Sequence, residues 1–280
     1  MGGQGSAVQI RTPRPDTLLM LILLSNDDGV GSPGLKVLAD RLKELGRVVV
    51  VAPDRERSAA GHSLTLSRPL RAKRVEENWY SVDGTPTDCI ALAVHGILKR
   101  RPDLMVARIN QGANLGDDVT YSGTVSAAFE ATLLGIPAFA VSLATVEGCR
   151  FQTAADFSFT IAQLILEKGL PPDTLLNVNI PDLPFSEIKG VTITRQGKRL
   201  YTDIVVEKMD PRGKTYYWIA GAGPHWQAVE ESDHEAVMNG WVSITPLHLD
   251  LTNYTALEVL KKWEFHLPND DGAKRGKPAW

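Results

Sequence analysis

Apolar positions along the chain fall into short runs that alternate with amphipathic stretches. Leu18–Leu24 is unbroken and apolar, too short to span a bilayer, and it ends at the turn-rich Ser25–Gly31. It reads as a buried strand. Ser32 and Pro33 offer an N-cap and a first-turn proline. Leu35, Leu38, Leu42 and Leu45 then recur at helical spacing, and Gly46 is expected to stop that helix. Val48–Ala52 is a second β-branched run, so the chain opens with a β-α-β unit.

The alternation continues. Residues 64–82 read as short extended segments, and Thr85-Pro86-Thr87-Asp88 as a capping box opening a helix to about Leu98. Leu104–Ile109, Ala138–Leu143 and Leu175–Ile180 read as strands, and residues 124–134 and 153–168 as helices. Such alternation predicts an α/β fold, a mostly parallel sheet covered on both faces. Ligands in such sheets bind beyond the carboxyl ends of strands, which marks the loops 25–31, 53–63 and 110–123. After about residue 185 the texture becomes β-rich. Val191–Thr194, Thr202–Glu207 and Thr215–Ala220 read as hairpin strands, with Asp210-Pro211-Arg212-Gly213 as a turn. The expected division is a leader over 1–17, a core over 18–185, a β-rich oligomerisation region with a closing helix over 186–266, and a loose tail over 267–280. Met20 is a candidate start site.

Composition narrows the function. The chain has 280 residues, 43% hydrophobic and 22% charged, with a formal net charge of -3. No global basic field invites polymeric nucleic acid, and an anionic small substrate needs positive charge supplied locally. Cys89 and Cys149, the only cysteines, match no zinc spacing and read as reduced thiols, which points to the cytoplasm. No run calls for a membrane.

Three loops carry candidate chemistry. Asp27 and Asp28 directly follow a buried strand, and adjacent carboxylates can bind a hard cation while orienting a ligand or water. A plain polar turn explains the same residues equally well. Ser58 lies in the second loop with Arg55, Arg57 and His62, which read alone as a solvated loop. In the third, Asn114 offers a neutral amide oxygen within a Gly- and Asn-rich stretch, and Ser122, Gly123 and Thr124 open a helix. That opening suits a phosphate, although Ser122 or Thr124 also serves as an ordinary N-cap.

Taken together these segments resemble the SurE family of 5′-nucleotidases, the stationary-phase survival proteins. The resemblance is carried by Leu23-Leu24-Ser25-Asn26-Asp27-Asp28-Gly29-Val30, by Ala52-Pro53-Asp54-Arg55 leading to Ser58, and by Gly84-Thr85-Pro86-Thr87-Asp88-Cys89. Ile109-Asn110-Gln111-Gly112-Ala113-Asn114-Leu115-Gly116 and Tyr121-Ser122-Gly123-Thr124-Val125 complete it. It implies a Rossmann-like three-layer sandwich, with a C-terminal β-hairpin region exchanged between subunits of a homodimer or homotetramer. It also implies one divalent metal ion per subunit, Mg²⁺ or Mn²⁺, held by Asp27, Asp28, Ser58 and Asn114. A phosphate pocket of Asn114, Ser122, Gly123 and Thr124 is implied beside it. The implied activity is hydrolysis of nucleoside 5′- and 3′-monophosphates, and of short polyphosphate in some members. For that chemistry Asp27 and Asp28 are the candidate catalytic residues, either of which can act as general base on the attacking water, with Asp28 favoured. One position departs: the family commonly has Gly just before Ile-Asn, where this chain has Arg108. That departure keeps a non-catalytic nucleotide-binding module open as the alternative. A metal-dependent glycosyltransferase is a weaker third.

Overall fold

In β1 (Met20–Ser25) alternate side chains serve opposite faces of a sheet: Ile22 and Leu24 enter one apolar cluster, Leu21 and Leu23 another. The computed structural model describes residues 19–145, 148–200, 205–219 and 225–263; the expected leader over 1–17 and tail over 267–280 lie outside them. The chain continues through α1 (Pro33–Leu42), β2 (Gly46–Pro53), β3 (Ala72–Glu76), β4 (Trp79–Val82), α2 (Pro86–Leu92), β5 (Leu104–Gln111) and α3 (Gly123–Leu133). Then come β6 (Ala138–Ala144), α4 (Phe151–Lys168), β7 (Thr174–Pro181), β8 (Val191–Ile193), β9 (Lys198–Leu200), β10 (Val205–Met209) and β11 (Thr215–Ile219). The last described elements are β12 (His225–Gln227), α5 (Asp233–Met238), β13 (Val242–His248) and α6 (Tyr254–Leu260).

Among the described residues nine strands form one sheet in the order β3-β4-β2-β1-β5-β6-β7-β13-β8. The central pairs β2–β1, β1–β5, β5–β6 and β6–β7 are parallel. Leu35, Leu38 and Leu42 of α1 and Ile161 and Ile165 of α4 cover one face. Cys89 and Ile90 of α2 and Val125, Ala128 and Ala131 of α3 cover the other. This is the expected Rossmann-like sandwich. The described residues up to Leu249 form one compact unit; those from Asp250 to Trp263 belong to a second, which holds α6.

Most elements lie within a few residues of their expected positions. The capping box is complete: Thr85 accepts from the Asp88 amide and the Asp88 carboxylate accepts from the Thr85 amide. The helix it opens gives way to a π-helical turn over Ala93–Ile97. Gly46 corrects the expectation of a helix stop. Helix α1 ends at Leu42, and Gly46 begins β2, where a Cβ would fall 2.3 Å from the Met20 carbonyl oxygen. Its lack of a side chain serves close strand approach, not capping. Val191–Thr194 also differs. Its first three residues form β8, which runs parallel to β13 within the main sheet, and Thr194 just beyond shares hydroxyl hydrogen bonds with Ser243 and Thr245 of β13. The hairpin expected further on is β10–β11, closed by Asp210, whose carboxylate accepts from the Arg212 and Lys214 amides at 2.8 Å each. Residues 202–204 and 220 of the expected hairpin strands lie outside the described residues. Strand β13, antiparallel to β7, had no counterpart in the sequence reading.

Candidate active site

The sheet places the carboxyl ends of β1, β2 and β5 side by side, with β1 between the other two, and the three marked loops leave from those ends. The first two loops are stitched together by backbone. Val30 N–H donates to the Pro53 carbonyl at 2.8 Å and Arg57 N–H to the Asp27 carbonyl at 2.6 Å. Gly29 has φ +97°, and a Cβ there would sit 3.2 Å from the Arg55 carbonyl carbon. A side chain at 29 would push the loops apart. Asn26 Nδ2 donates to the Gly29 carbonyl at 2.7 Å and to Ser32 Oγ at 2.8 Å, so the turn is closed from within.

Asp27 is 6% exposed, and its Oδ1 accepts a hydrogen bond from Thr124 Oγ1 at 2.7 Å. Helix α3 therefore enters the site with its first turn against this carboxylate. Gly123 makes that approach possible, since a Cβ there would lie 2.8 Å from Asp27 Cβ and 2.9 Å from its Oδ2. The N-cap is Ser122, which accepts from the Val125 amide at 3.1 Å. The amides of Gly123 and Thr124 precede the first intrahelical bond and are the helix's orphan donors.

Asp28 is about one-third exposed and forms an ion pair with Arg108, a residue of β5 that is 1% exposed. Arg108 Nη2 also donates to Asn110 Oδ1 at 2.9 Å, while Nε is buried with no acceptor. Burial lowers the Arg108 pKa to about 10, against the pull of the Asp27 charge, so the guanidinium remains protonated at neutral pH.

Asn114 is 8% exposed and held on three sides. Its Nδ2 donates to Ser142 Oγ at 2.7 Å, its amide N–H to Asn179 Oδ1 at 2.8 Å, and its carbonyl accepts from Asn177 and Asn179. No hydrogen bond among the described residues falls on its Oδ1, which leaves an oriented, neutral oxygen acceptor. Ser58 Oγ donates to Glu56 Oε1 at 2.7 Å and keeps its lone pairs.

Asp27, Asp28, Ser58, Asn114 and Ser122 all line one open cleft of about 1080 Å³. Gly123 and Thr124 lie behind Asp27. Arg55 lines the cleft as well, whereas Arg57 turns to the Asp83 carbonyl and His62 pairs with Glu130 at 2.8 Å. The lining includes the guanidinium of Arg55 and five carboxylates: Asp28, Asp54 and Asp118 are paired with Arg108, Arg57 and Arg199, while Asp27 and Glu56 have no such partner among the described residues. Such a cleft repels an anion unless a cation is held in it. The donor set fits a hard divalent ion: two carboxylates, an amide oxygen and a hydroxyl, with room for water. Among the described residues no group of three or more His, Cys, Asp or Glu is gathered for a metal, so the candidate set relies on an amide and a hydroxyl oxygen beside its two carboxylates.

Sequence reasoning missed Ser142, Asn177 and Asn179, which fix Asn114. The signal was present: two Asn residues, both fully buried, interrupt the otherwise apolar run Leu175–Ile180. It also missed Asp233, fully buried, which accepts from the amides of Gly116 at 2.8 Å and Gly197 at 2.9 Å and so ties the third loop to the segment before β9.

A sequence model described as Survival protein SurE matches residues 22–203. A protein of Geotalea daltonii named 5′-nucleotidase SurE is 58% identical over 246 residues, 88% of this chain and 99% of the relative. A protein of the same name from Geobacter sulfurreducens is 55% identical, covering 88% and 94%. The crystal structure of the SurE protein from Aquifex aeolicus is similar in fold, with a TM-score of 0.77 and 49% identity over 86% of this chain and 98% of that one. With the family model matching residues 22–203 and more than half of the aligned residues identical in the two 5′-nucleotidase relatives, the chain belongs to the SurE family.

Proposed function

We propose that this protein is a metal-dependent phosphomonoesterase that hydrolyses nucleoside monophosphates to nucleoside and phosphate. The observation that carries the reading is the convergence of Asp27, Asp28, Ser58 and Asn114 with the first turn of α3 on one cleft. The relatives named 5′-nucleotidase support the substrate class. Asp27, Asp28, Ser58 and Asn114 would hold one divalent ion, Mg²⁺ or Mn²⁺, which supplies charge neutralisation at the phosphoryl oxygens and a more acidic water.

The chain's own groups do the rest. Ser122, the orphan amides of Gly123 and Thr124, and Asn114 bind and orient the phosphate, and the helix start favours its negative charge. Thr124 keeps the Asp27 carboxylate in a single orientation through its hydroxyl. Asp28, the more exposed of the pair, accepts the proton of the attacking water. The adjacency of the two carboxylates favours attack by water over a covalent aspartyl intermediate.

The hairpin β10–β11 leaves Val205, Met209, Tyr217, Trp218 and Ile219 exposed, which supports its use as an oligomerisation arm in a homodimer or homotetramer. No helix among the described residues is long and apolar enough to cross a membrane. A cytoplasmic location is part of the proposal, on the two free thiols.

The test is release of inorganic phosphate from AMP, GMP and an aryl phosphate with Mn²⁺ or Mg²⁺ and with EDTA. Release that requires metal and disappears in Asp27→Asn is the expected result. Nucleotide binding without release under any metal would replace this reading with the non-catalytic binding module.

A further inference from the structure

Arg108 is the largest fully buried side chain of the described residues, and it is charged. A guanidinium carries five N–H donors in a rigid fork, and burying one demands acceptors. Here Nη1 pairs with Asp28 and Nη2 donates to Asn110 Oδ1, while buried Nε has no partner. The charge is therefore held on its cleft side alone, by a carboxylate and an amide oxygen. Asn110 is itself fixed by donating from Nδ2 to the Gly112 carbonyl at 2.8 Å. Asp28 is the exposed half of the arrangement, about one-third exposed on the cleft wall.

Resting on the metal-site reading above, we infer that Arg108 is a resident cation that competes with the divalent ion for the Asp28 carboxylate, so that metal loading is a displacement. Before loading, the guanidinium neutralises Asp28 in a cleft otherwise crowded with carboxylates. On loading, Asp28 exchanges a guanidinium for the metal, and Arg108 stays anchored through Asn110. A metal at this carboxylate would stand at close range to the guanidinium already on its Oδ2, and the repulsion between the two cations opposes loading. The affinity of the site for metal is thereby set below what its oxygen donors alone would give, and the chain responds to high rather than trace divalent ion. A phosphate-contacting role for Arg108 predicts the opposite pattern, since losing the side chain would then weaken phosphate binding and leave metal binding alone.

The experiment measures Mn²⁺ binding by electron paramagnetic resonance on the full chain, wild type beside Arg108→Ala and Arg108→Gln, with circular dichroism to establish that each variant is folded. Both variants should bind Mn²⁺ roughly ten-fold or more tightly than wild type, because a neighbouring unit charge in a half-buried site outweighs that factor. Equal or weaker Mn²⁺ binding in folded variants overturns the inference and leaves the metal site standing. No Mn²⁺ binding by wild type or variant overturns the metal-site reading and this inference with it. Should both variants fail to fold, a crystal structure of the wild-type protein soaked in Mn²⁺ decides. Arg108 separated from Asp28 supports displacement, and an intact pair beside bound Mn²⁺ overturns it.

Discussion

Replacing Gly123 with Ala puts a single methyl group where the structure has least room for it. The added Cβ would lie 2.8 Å from Asp27 Cβ and 2.9 Å from Asp27 Oδ2. Ordinary carbon contacts begin near ~3.5 Å, so Asp27 or the start of α3 must move by about 0.7 Å. Either movement strains the Thr124–Asp27 hydrogen bond of 2.7 Å and the Arg57–Asp27 backbone bond of 2.6 Å. The stability cost is limited by opposing effects. Overpacking costs about 1–3 kcal/mol, while alanine regains about 0.5–1 kcal/mol over glycine in helical backbone. The net loss is on the order of 1 kcal/mol, lowering the melting temperature by only a few degrees. The catalytic cost is larger, because a misplacement approaching 1 Å at a positioning carboxylate can cost about 10²-fold in rate. Phosphate release from AMP under saturating Mn²⁺ should therefore fall about 10²-fold in a protein that melts cooperatively near the wild-type temperature. Turnover within two-fold of wild type would refute the view that Gly123 is there to admit Asp27.

Ser142→Ala removes the acceptor of Asn114 Nδ2 and should weaken Mn²⁺ binding about ten- to hundred-fold with little change in fold, as titration calorimetry would register. Asp233→Ala strips the acceptor from the amides of Gly116, Gly197 and His234 and should destabilise the protein by about 3–5 kcal/mol in urea denaturation. Asp83 accepts from the Arg71 amide, which holds its carboxyl below the ordinary 3.8, with Arg68 adding to the effect. A depressed folded pKa contributes stability above the unfolded value that is lost as pH falls through the lower one. Asp83→Asn should therefore flatten the acid limb of the stability curve below about pH 4, and an unchanged limb would count against this linkage.

Local rules account for what the sequence alone determined. The apolar runs became β1, β2, β5, β6 and β7 because strands buried on both faces need apolar residues throughout, and the helices between them dictate a parallel sheet. The capping box at Thr85 and the N-cap at Ser122 were legible because their hydrogen bonds join residues three apart. The loops lining the cleft could be marked in advance for a similar reason: in such a sheet, strand order places the carboxyl ends together. The rest was decided by partners distant in the chain. That Thr124 turns its hydroxyl to Asp27 rather than capping α3 depends on a residue 97 positions away. Asn114 owes its orientation to Ser142, Asn177 and Asn179 on two other strands, and the third loop owes its anchor to Asp233. Strands β8 and β13 extended the sheet past the expected boundary near residue 185, because edge pairing is settled by which backbone is within reach and not by composition. Arg108 shows the division most plainly. Its unusual residue type was visible in the sequence, but its burial and its choice of Asp28 exist only once β1 and β5 lie side by side.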